Sequence, residues 1–259
     1  MLTDAHCHPF DLTERLPPAE TMRRQLGIMA AASAASIEEF AYCEQLSLQA
    51  KSDCASPLLP CFAIHPQQLT VNRNEATLAV LEALASEGKL AAIGETGFDL
   101  YNAEFRGTEG WQDAMFAGHL ELALRHDLPL VIHARRAMHK VFAYSAGLKK
   151  CKAVIFHSWS GTSGEGESLL KRGVNAFFSF GTTIMLNHRE AMRCCALFPA
   201  ERLLTETDAP FQPLRGKAFS AYADLPAILQ TMEYMRGESA METIIEHNFR
   251  SAFGIMDAF

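Results

Sequence analysis

Ala153-Val154-Ile155-Phe156-His157 is an unbroken apolar run that stops at a histidine. Near-continuous hydrophobicity of this length is what a parallel strand shows when helices cover both of its faces. The same design recurs along the chain, in Cys61-Phe62-Ala63-Ile64-His65, Ala91-Ala92-Ile93-Gly94-Glu95, Leu130-Val131-Ile132-His133 and Leu203-Leu204-Thr205-Glu206-Thr207-Asp208. Asp4-Ala5-His6-Cys7-His8 opens the chain with two histidines two residues apart, which project to the same side of a strand.

Counting such runs predicts eight strands, near 2–8, 26–33, 57–65, 90–97, 128–135, 152–159, 174–181 and 202–208. The intervening segments read as helices over 37–51, 75–87, 109–125, 137–148, 165–172 and 187–197, with closing helices in 223–252. Repeated strand and helix implies a parallel sheet. Eight such units in a chain of 259 residues predict a closed (β/α)8 barrel, a single domain over 1–259. In that fold the active site lies at the C-terminal ends of the strands, where His6, His8, Glu95, His133, His157 and Asp208 fall. Alternation should point these groups into the barrel and turn Cys7 towards the helix layer.

Composition is that of an ordinary globular protein, 49% hydrophobic and 20% charged. No stretch approaches the roughly 20 apolar residues of a membrane span, and Asp4 and His6 arrive before a signal-peptide apolar region could form. A cytoplasmic location is expected, with no membrane contact. The seven cysteines include no Cys-x-x-Cys pair, so reduced, packed thiols are expected rather than a disulfide framework.

Imidazoles and carboxylates bind borderline or hard divalent cations, and two cations roughly 3.5 to 4 Å apart need a carboxylate able to bridge them. Glu95, midway round the barrel, is the expected bridge. Asp208, on the strand that closes against the first, should join His6 and His8 in one subsite, while His133 and His157 serve the other. Two-metal hydrolysis activates a water between the cations and stabilises the departing oxygen. Asp208 and Glu95 are therefore the catalytic candidates, with Asp208 able to accept a proton. Arg135 follows His133 at the same parity and could clamp phosphoryl oxygens. His65 should contact substrate or a metal-bound water, Trp159 could either stack on a base or pack at the barrel mouth, and Glu206 should orient a ligand histidine. His119, His126, His139, His188 and His247 are read as structural.

Over essentially its whole length the chain resembles the TatD family of metal-dependent deoxyribonucleases, within the amidohydrolase-like TIM barrels. The resemblance rests on Asp4-Ala5-His6-Cys7-His8, Ile64-His65-Pro66, Ile93-Gly94-Glu95-Thr96-Gly97-Phe98-Asp99, Gln112 and Phe116 followed by Leu128-Pro129-Leu130-Val131-Ile132-His133-Ala134-Arg135, Phe156-His157-Ser158-Trp159-Ser160-Gly161, and Thr205-Glu206-Thr207-Asp208-Ala209-Pro210. It implies the same six metal ligands and a hydrolase using two divalent ions, Mg²⁺ foremost with Zn²⁺ or Mn²⁺ as alternatives. The implied reaction is phosphodiester cleavage, as a 3'-5' exonuclease on single-stranded DNA ends, with no obligatory protein partner. The chain departs from the family after strand eight: Phe211-Gln212-Pro213-Leu214-Arg215-Gly216-Lys217 fits, but no Asn-x-Pro element follows.

Net charge is −7, so the basic field that drives long-range duplex binding is missing. Arg135, Arg136, Lys140, Arg215 and Lys217 are expected to ring the mouth and serve a strand end. The competing reading is a metal-dependent amidohydrolase or esterase on a small molecule, since the same ligands can polarise a carbonyl. A strand-end lysine would favour it, and Glu95 stands where that lysine would be.

Overall fold

The computed structural model describes residues 1–68 and 77–255. Eight parallel strands follow one another round a single sheet in chain order: β1 (Thr3–Cys7), β2 (Met29–Ala34), β3 (Leu58–Phe62), β4 (Ala92–Asp99), β5 (Leu130–Arg135), β6 (Val154–Phe156), β7 (Ala176–Phe180) and β8 (Leu203–Thr205). Hydrogen bonds at the strand ends bring β8 back to β1. The Asp208 amide donates to the His6 carbonyl (2.9 Å) and the His8 amide to the Ala209 carbonyl (2.8 Å). Lower down, the Thr205 hydroxyl donates to the Thr3 carbonyl at 2.7 Å. Buried Asp4 adds to this seam by accepting from the Thr207 amide (2.9 Å) and hydroxyl (2.6 Å). The expected barrel is thus observed, with its seam at the very residues that carry His6, His8 and Asp208.

Outside the sheet, helices occupy Ile37–Ser52, Leu78–Ser86, Glu109–Arg125, Ser163–Lys171, Arg189–Leu197, Leu225–Arg236 and Met241–Phe253. The predicted helix over 75–87 begins, within the described residues, at Leu78, where the Thr77 hydroxyl accepts from the Val80 amide; residues 75–76 lie outside the described residues. The predicted helix over 137–148 is two short pieces, Met138–Ala143 and Ser145–Leu148. Two seven-residue helices, Pro9–Arg15 and Ala19–Gln25, escaped the sequence reading because each is only two turns long and Pro17-Pro18 interrupts their pattern.

Alternation holds on most strands. Val131, Ile155 and Leu204 lie in the inner cluster with Met29, Ala31, Cys61 and Phe177, and share parity with His133, His157 and Asp208. It fails on β1 and β4. Ala5 and Ala92 belong to that same inner cluster although their parity opposes that of His6 and Glu95. Register shifts between Asp4 and Cys7 and between Ile93 and Thr96 account for this: an irregular step re-aims the side chains beyond it. Cys7 faces outward as expected, among Leu12, Ile28 and Tyr222, and all seven cysteines are free.

The β3–β4 ladder has only two residue pairings, Cys61 with Ala92 and Phe62 with Ile93. Above it, His119 from the helix Glu109–Arg125 takes over. Its Nε2 accepts from the Ile64 amide at 3.1 Å while Nδ1 meets the Thr96 hydroxyl at 2.6 Å. Complete burial pushes the His119 pKa down to about 3, so the ring is neutral and, with Nε2 accepting, Nδ1 donates. This histidine is structural, as expected.

Gly94 and Gly97 let β4 approach β5 closely. At Gly97 φ is +133°, and a Cβ there would sit 2.1 Å from the His133 carbonyl oxygen. Both the conformation and the clash penalise any side chain. Gly97→Ala should therefore destabilise the protein by roughly 2 to 4 kcal/mol, read from the urea midpoint at constant m-value. A change below about 0.5 kcal/mol would show that β4 and β5 can part without cost.

Candidate metal centre

The strand ends bring the six expected ligands together around Glu95, which is 5% exposed. Its two carboxylate oxygens face different partners. Oε2 lies 3.2 Å from His6 Nε2 and 3.8 Å from His8 Nε2. Oε1 lies 2.6 Å from His133 Nδ1, 3.2 Å from His65 Nε2 and 3.4 Å from His157 Nε2. Asp208 joins the first side, with Oδ1 at 3.5 Å from His8 Nε2 and 3.8 Å from His6 Nε2. His157 stands between the sides, its ring centroid 3.8 Å from that of His6.

Three trios of donor atoms, His6/Glu95/His157, His6/His8/Asp208 and His65/Glu95/His133, each lie within 4.8 Å of one another. Ligands bound at about 2.0 to 2.2 Å around one ion are themselves roughly 3 to 4 Å apart. Apart from the 2.6 Å contact of Glu95 with His133, the Glu95 and Asp208 separations here are 3.2 to 3.8 Å. The orientation of the imidazoles fits as well. His6 and His8 direct their Nε2 atoms at each other across 3.0 Å, while the far side of His6 is held by the Ser33 hydroxyl at 3.1 Å from Nδ1. His157 Nδ1 meets Glu206 at 3.2 Å, so Glu206 stands where an orienting partner was expected and aims Nε2 at Glu95.

Electrostatics keep the carboxylates ionised. Burial opposes ionisation of Glu95, but His65, His157 and His6 outweigh it and hold the group well below the usual carboxylate range. Asp208 is likewise lowered, against burial, by His157, His8 and His6. The imidazoles split. Burial and the neighbouring His157 lower His6. For His157 burial is overcome by Glu206, Glu95 and Asp208, which push it up to about 10. His8 and His133 are also raised despite burial, the first by Asp208 and Glu95, the second by Asp99 and Glu95.

Several residues beyond the sequence reading belong to the site. Asp99 is buried, its Oδ2 3.1 Å from His133 Nε2 and accepting from the Gln67 amide group at 2.7 Å. Burial raises its pKa, but those two contacts win and bring it down to about 2. Its parity with Glu95 on β4 was the available signal. Phe211, 51% exposed, sets its ring edge-on to His8 with centroids 5.0 Å apart.

Of the two readings of Trp159 the structure supports packing and corrects the substrate-stacking one. It is 3% exposed and packs against Phe156, Phe178 and Phe198, so no face is open to a base. Ser158 takes φ +44°, which breaks the strand after His157 and turns Trp159 out of the barrel into the helix layer. The expected ring of cations is also smaller. Lys140 is held by Asp113 and Glu109, and Lys217 by Asp224. Arg135 stacks on Tyr101, 3.7 Å from the ring centre, and Arg215 is exposed. His188 is not part of this cluster; it occupies the N-cap position of the helix Arg189–Leu197 without a side-chain capping bond.

A parallel eight-stranded barrel with imidazoles and carboxylates converging at the C-terminal mouth defines the class of metal-dependent barrel hydrolases. Within that class the chain belongs to the TatD family: the family described as TatD related DNase matches residues 3–254. The 3'-5' ssDNA/RNA exonuclease TatD of Erwinia tasmaniensis is 33% identical over 186 residues, covering 69% of this chain and 71% of that one. The exonuclease of the same name from Shigella flexneri is 29% identical over 201 residues, 74% and 76% of the two chains. An uncharacterized metal-dependent hydrolase TatD of Mycobacterium tuberculosis is 31% identical over 201 residues, 74% and 75%. Among solved structures, YJJV, a TatD homolog from Escherichia coli K12, shares the fold with a TM-score of 0.83 at 24% identity over 98% of both chains.

A protonated imidazole cannot coordinate, so a divalent ion entering this cluster must displace the protons that the carboxylates hold there. With His157 raised to about 10, at least one proton should leave per chain at pH 7, and apparent affinity should climb with pH. Calorimetry of Zn²⁺ or Mn²⁺ binding in buffers of different ionisation enthalpy measures this. Binding without proton release would mean that these histidines are not the ligands.

Proposed function

We propose that this protein is a divalent-metal-dependent exonuclease that hydrolyses phosphodiester bonds at single-stranded 3' ends of DNA, extending to RNA as the names of its relatives indicate. The observation that carries this reading is the division of the Glu95 carboxylate between two groups of imidazoles at the mouth of a TatD-family barrel.

His6, His8 and Asp208 would hold one ion, His133 and His157 the other, with Glu95 shared; His65, beside the same Glu95 oxygen, adds a donor to the second side. Bound divalent ions supply positive charge for the phosphoryl oxygens and an acidified water near neutral pH. Mg²⁺ is the ion proposed. Asp208, kept anionic by His157, His8 and His6, takes the proton of the attacking water. Glu206 keeps the His157 ring in place, and Asp99 does the same for His133. Phe211, exposed beside His8, offers the stacking face that Trp159 lacks. Arg135 is proposed to meet substrate phosphate. Nothing in this arrangement calls for a protein partner, and among the described residues no helix is long and apolar enough to cross a membrane.

Asp208→Asn should separate chemistry from binding. A neutral amide fills the same space but accepts no proton, so kcat on single-stranded DNA should fall about 100-fold or more while KM changes little. Normal turnover in that variant would remove Asp208 from the mechanism. The substrate class is tested by incubating the enzyme, with and without chelator, with single-stranded DNA, RNA and a panel of neutral esters and amides. Chelator-sensitive release of nucleotides from strand ends is expected. Hydrolysis of the esters or amides alone would establish the small-molecule hydrolase instead.

A further inference from the structure

At the ends of β4 and β5, beside the metal centre, three arginines gather on one exposed tyrosine. The Arg135 and Arg136 guanidinium carbons lie 3.7 and 4.6 Å from the centre of the Tyr101 ring. Arg136 Nη1 donates to the Tyr101 carbonyl at 3.3 Å, and Arg106 Nη1 donates to the carbonyls of Tyr101 and Leu100, both at 3.3 Å. Successive residues of a strand project to opposite faces, so Arg135 and Arg136 would ordinarily part. They do not, because Arg136 takes φ +56° just after β5 and swings back over the same ring. A non-glycine residue in that conformation is uncommon, and such residues gather at functional sites.

Charge bears on what the cluster can bind. Among the described residues no carboxylate lies within ion-pair distance of Arg106, Arg135 or Arg136, whereas Arg23, Arg24, Arg125 and Arg236 each have at least one. Other arginines such as Arg189 and Arg193 also lack one, but only these three converge on one ring and its carbonyl among the described residues. In a chain of net charge −7, like charges are here held together with no carboxylate in ion-pair contact among the described residues. Such a group suits an anion that arrives from outside. Its position relative to the reaction is fixed by Asp99, whose Oδ1 accepts from the Tyr101 amide at 2.8 Å and whose Oδ2 meets His133. The arginines therefore sit on the rim of the metal centre, one carboxylate away from it.

We propose that Arg106, Arg135 and Arg136, held by Tyr101, form a subsite for the phosphodiester that neighbours the one being cut. This rests on the nuclease reading. Planar guanidinium groups match phosphate oxygens two at a time, and stacking on a ring orders two of them before the strand arrives, so less side-chain freedom is lost on binding. Arg136 contacts the strand; Tyr101 is a positioning residue that acts through its ring. The subsite makes the enzyme favour a polynucleotide over an ester with a single phosphate.

The test compares the metal-loaded wild type with Arg136→Gln, Arg106→Gln, Tyr101→Leu and Tyr101→Phe. The kcat/KM values for a single-stranded decanucleotide and for thymidine 5'-(p-nitrophenyl phosphate) are measured, together with anisotropy of the labelled strand. In the two glutamine variants and Tyr101→Leu, the ratio of strand to ester should fall about fivefold or more, and strand binding should weaken in step. Tyr101→Phe, which keeps the ring, should retain the wild-type ratio. In Arg136→Gln the dependence of strand binding on log salt should become shallower by about 0.7. Unchanged ratios and unchanged strand binding in Arg136→Gln and Tyr101→Leu would overturn the subsite while leaving the nuclease intact. A wild type that binds the strand through Arg136 yet cleaves neither substrate would uphold the subsite and sink the nuclease reading; a wild type that neither binds nor cleaves would overturn both.

Discussion

The constraint on which the rest of the structure depends is the placing of one buried carboxylate, Glu95, within reach of five imidazoles. An anion out of water is costly unless it is surrounded by groups that compensate it. Here the compensation is divided, with His6 and His8 at one oxygen and His65, His133 and His157 at the other. Those histidines come from four different strand ends, so no local segment could build the site. Only closure of the barrel does, and the closing hydrogen bonds run through His6, His8 and Asp208 themselves. Fold and site are therefore one cooperative unit.

The partners behind the histidines fix their aim. Ser33 holds His6, Glu206 holds His157 and Asp99 meets His133, each from a strand end beside or across the mouth. Carboxylates in that position also make the imidazoles more basic, which would strengthen them as metal ligands with protons as competitors. The close approach of β4 to β5 at Gly94 and Gly97 is part of the same arrangement, because it brings Glu95 and His133 to 2.6 Å.

Strand count, strand order and the residues at each strand end were legible in the sequence because buried parallel strands announce themselves as apolar runs. His6, His8, Glu95, His133, His157 and Asp208 stand at the ends of such runs, and the structure gathers all six. What periodicity could not show were the places where the backbone leaves regular geometry. The irregular steps in β1 and β4 turn Ala5 and Ala92 inward, against simple alternation. The left-handed residues Ser158 and Arg136 re-aim Trp159 and their own surroundings, so Trp159 became core and Arg136 joined Arg135 on one ring. Asp99 and Phe211 lay inside recognised motifs without a role, since their importance comes from contacts with His133 and His8 that exist only in three dimensions.

The central claim, that Glu95 is shared between two ions, is tested most directly by anomalous diffraction from crystals of the Mn²⁺-loaded protein. Two peaks should appear about 3.5 to 4 Å apart, one beside each oxygen of Glu95. A single peak, or two peaks of which neither or only one touches Glu95, would contradict the account.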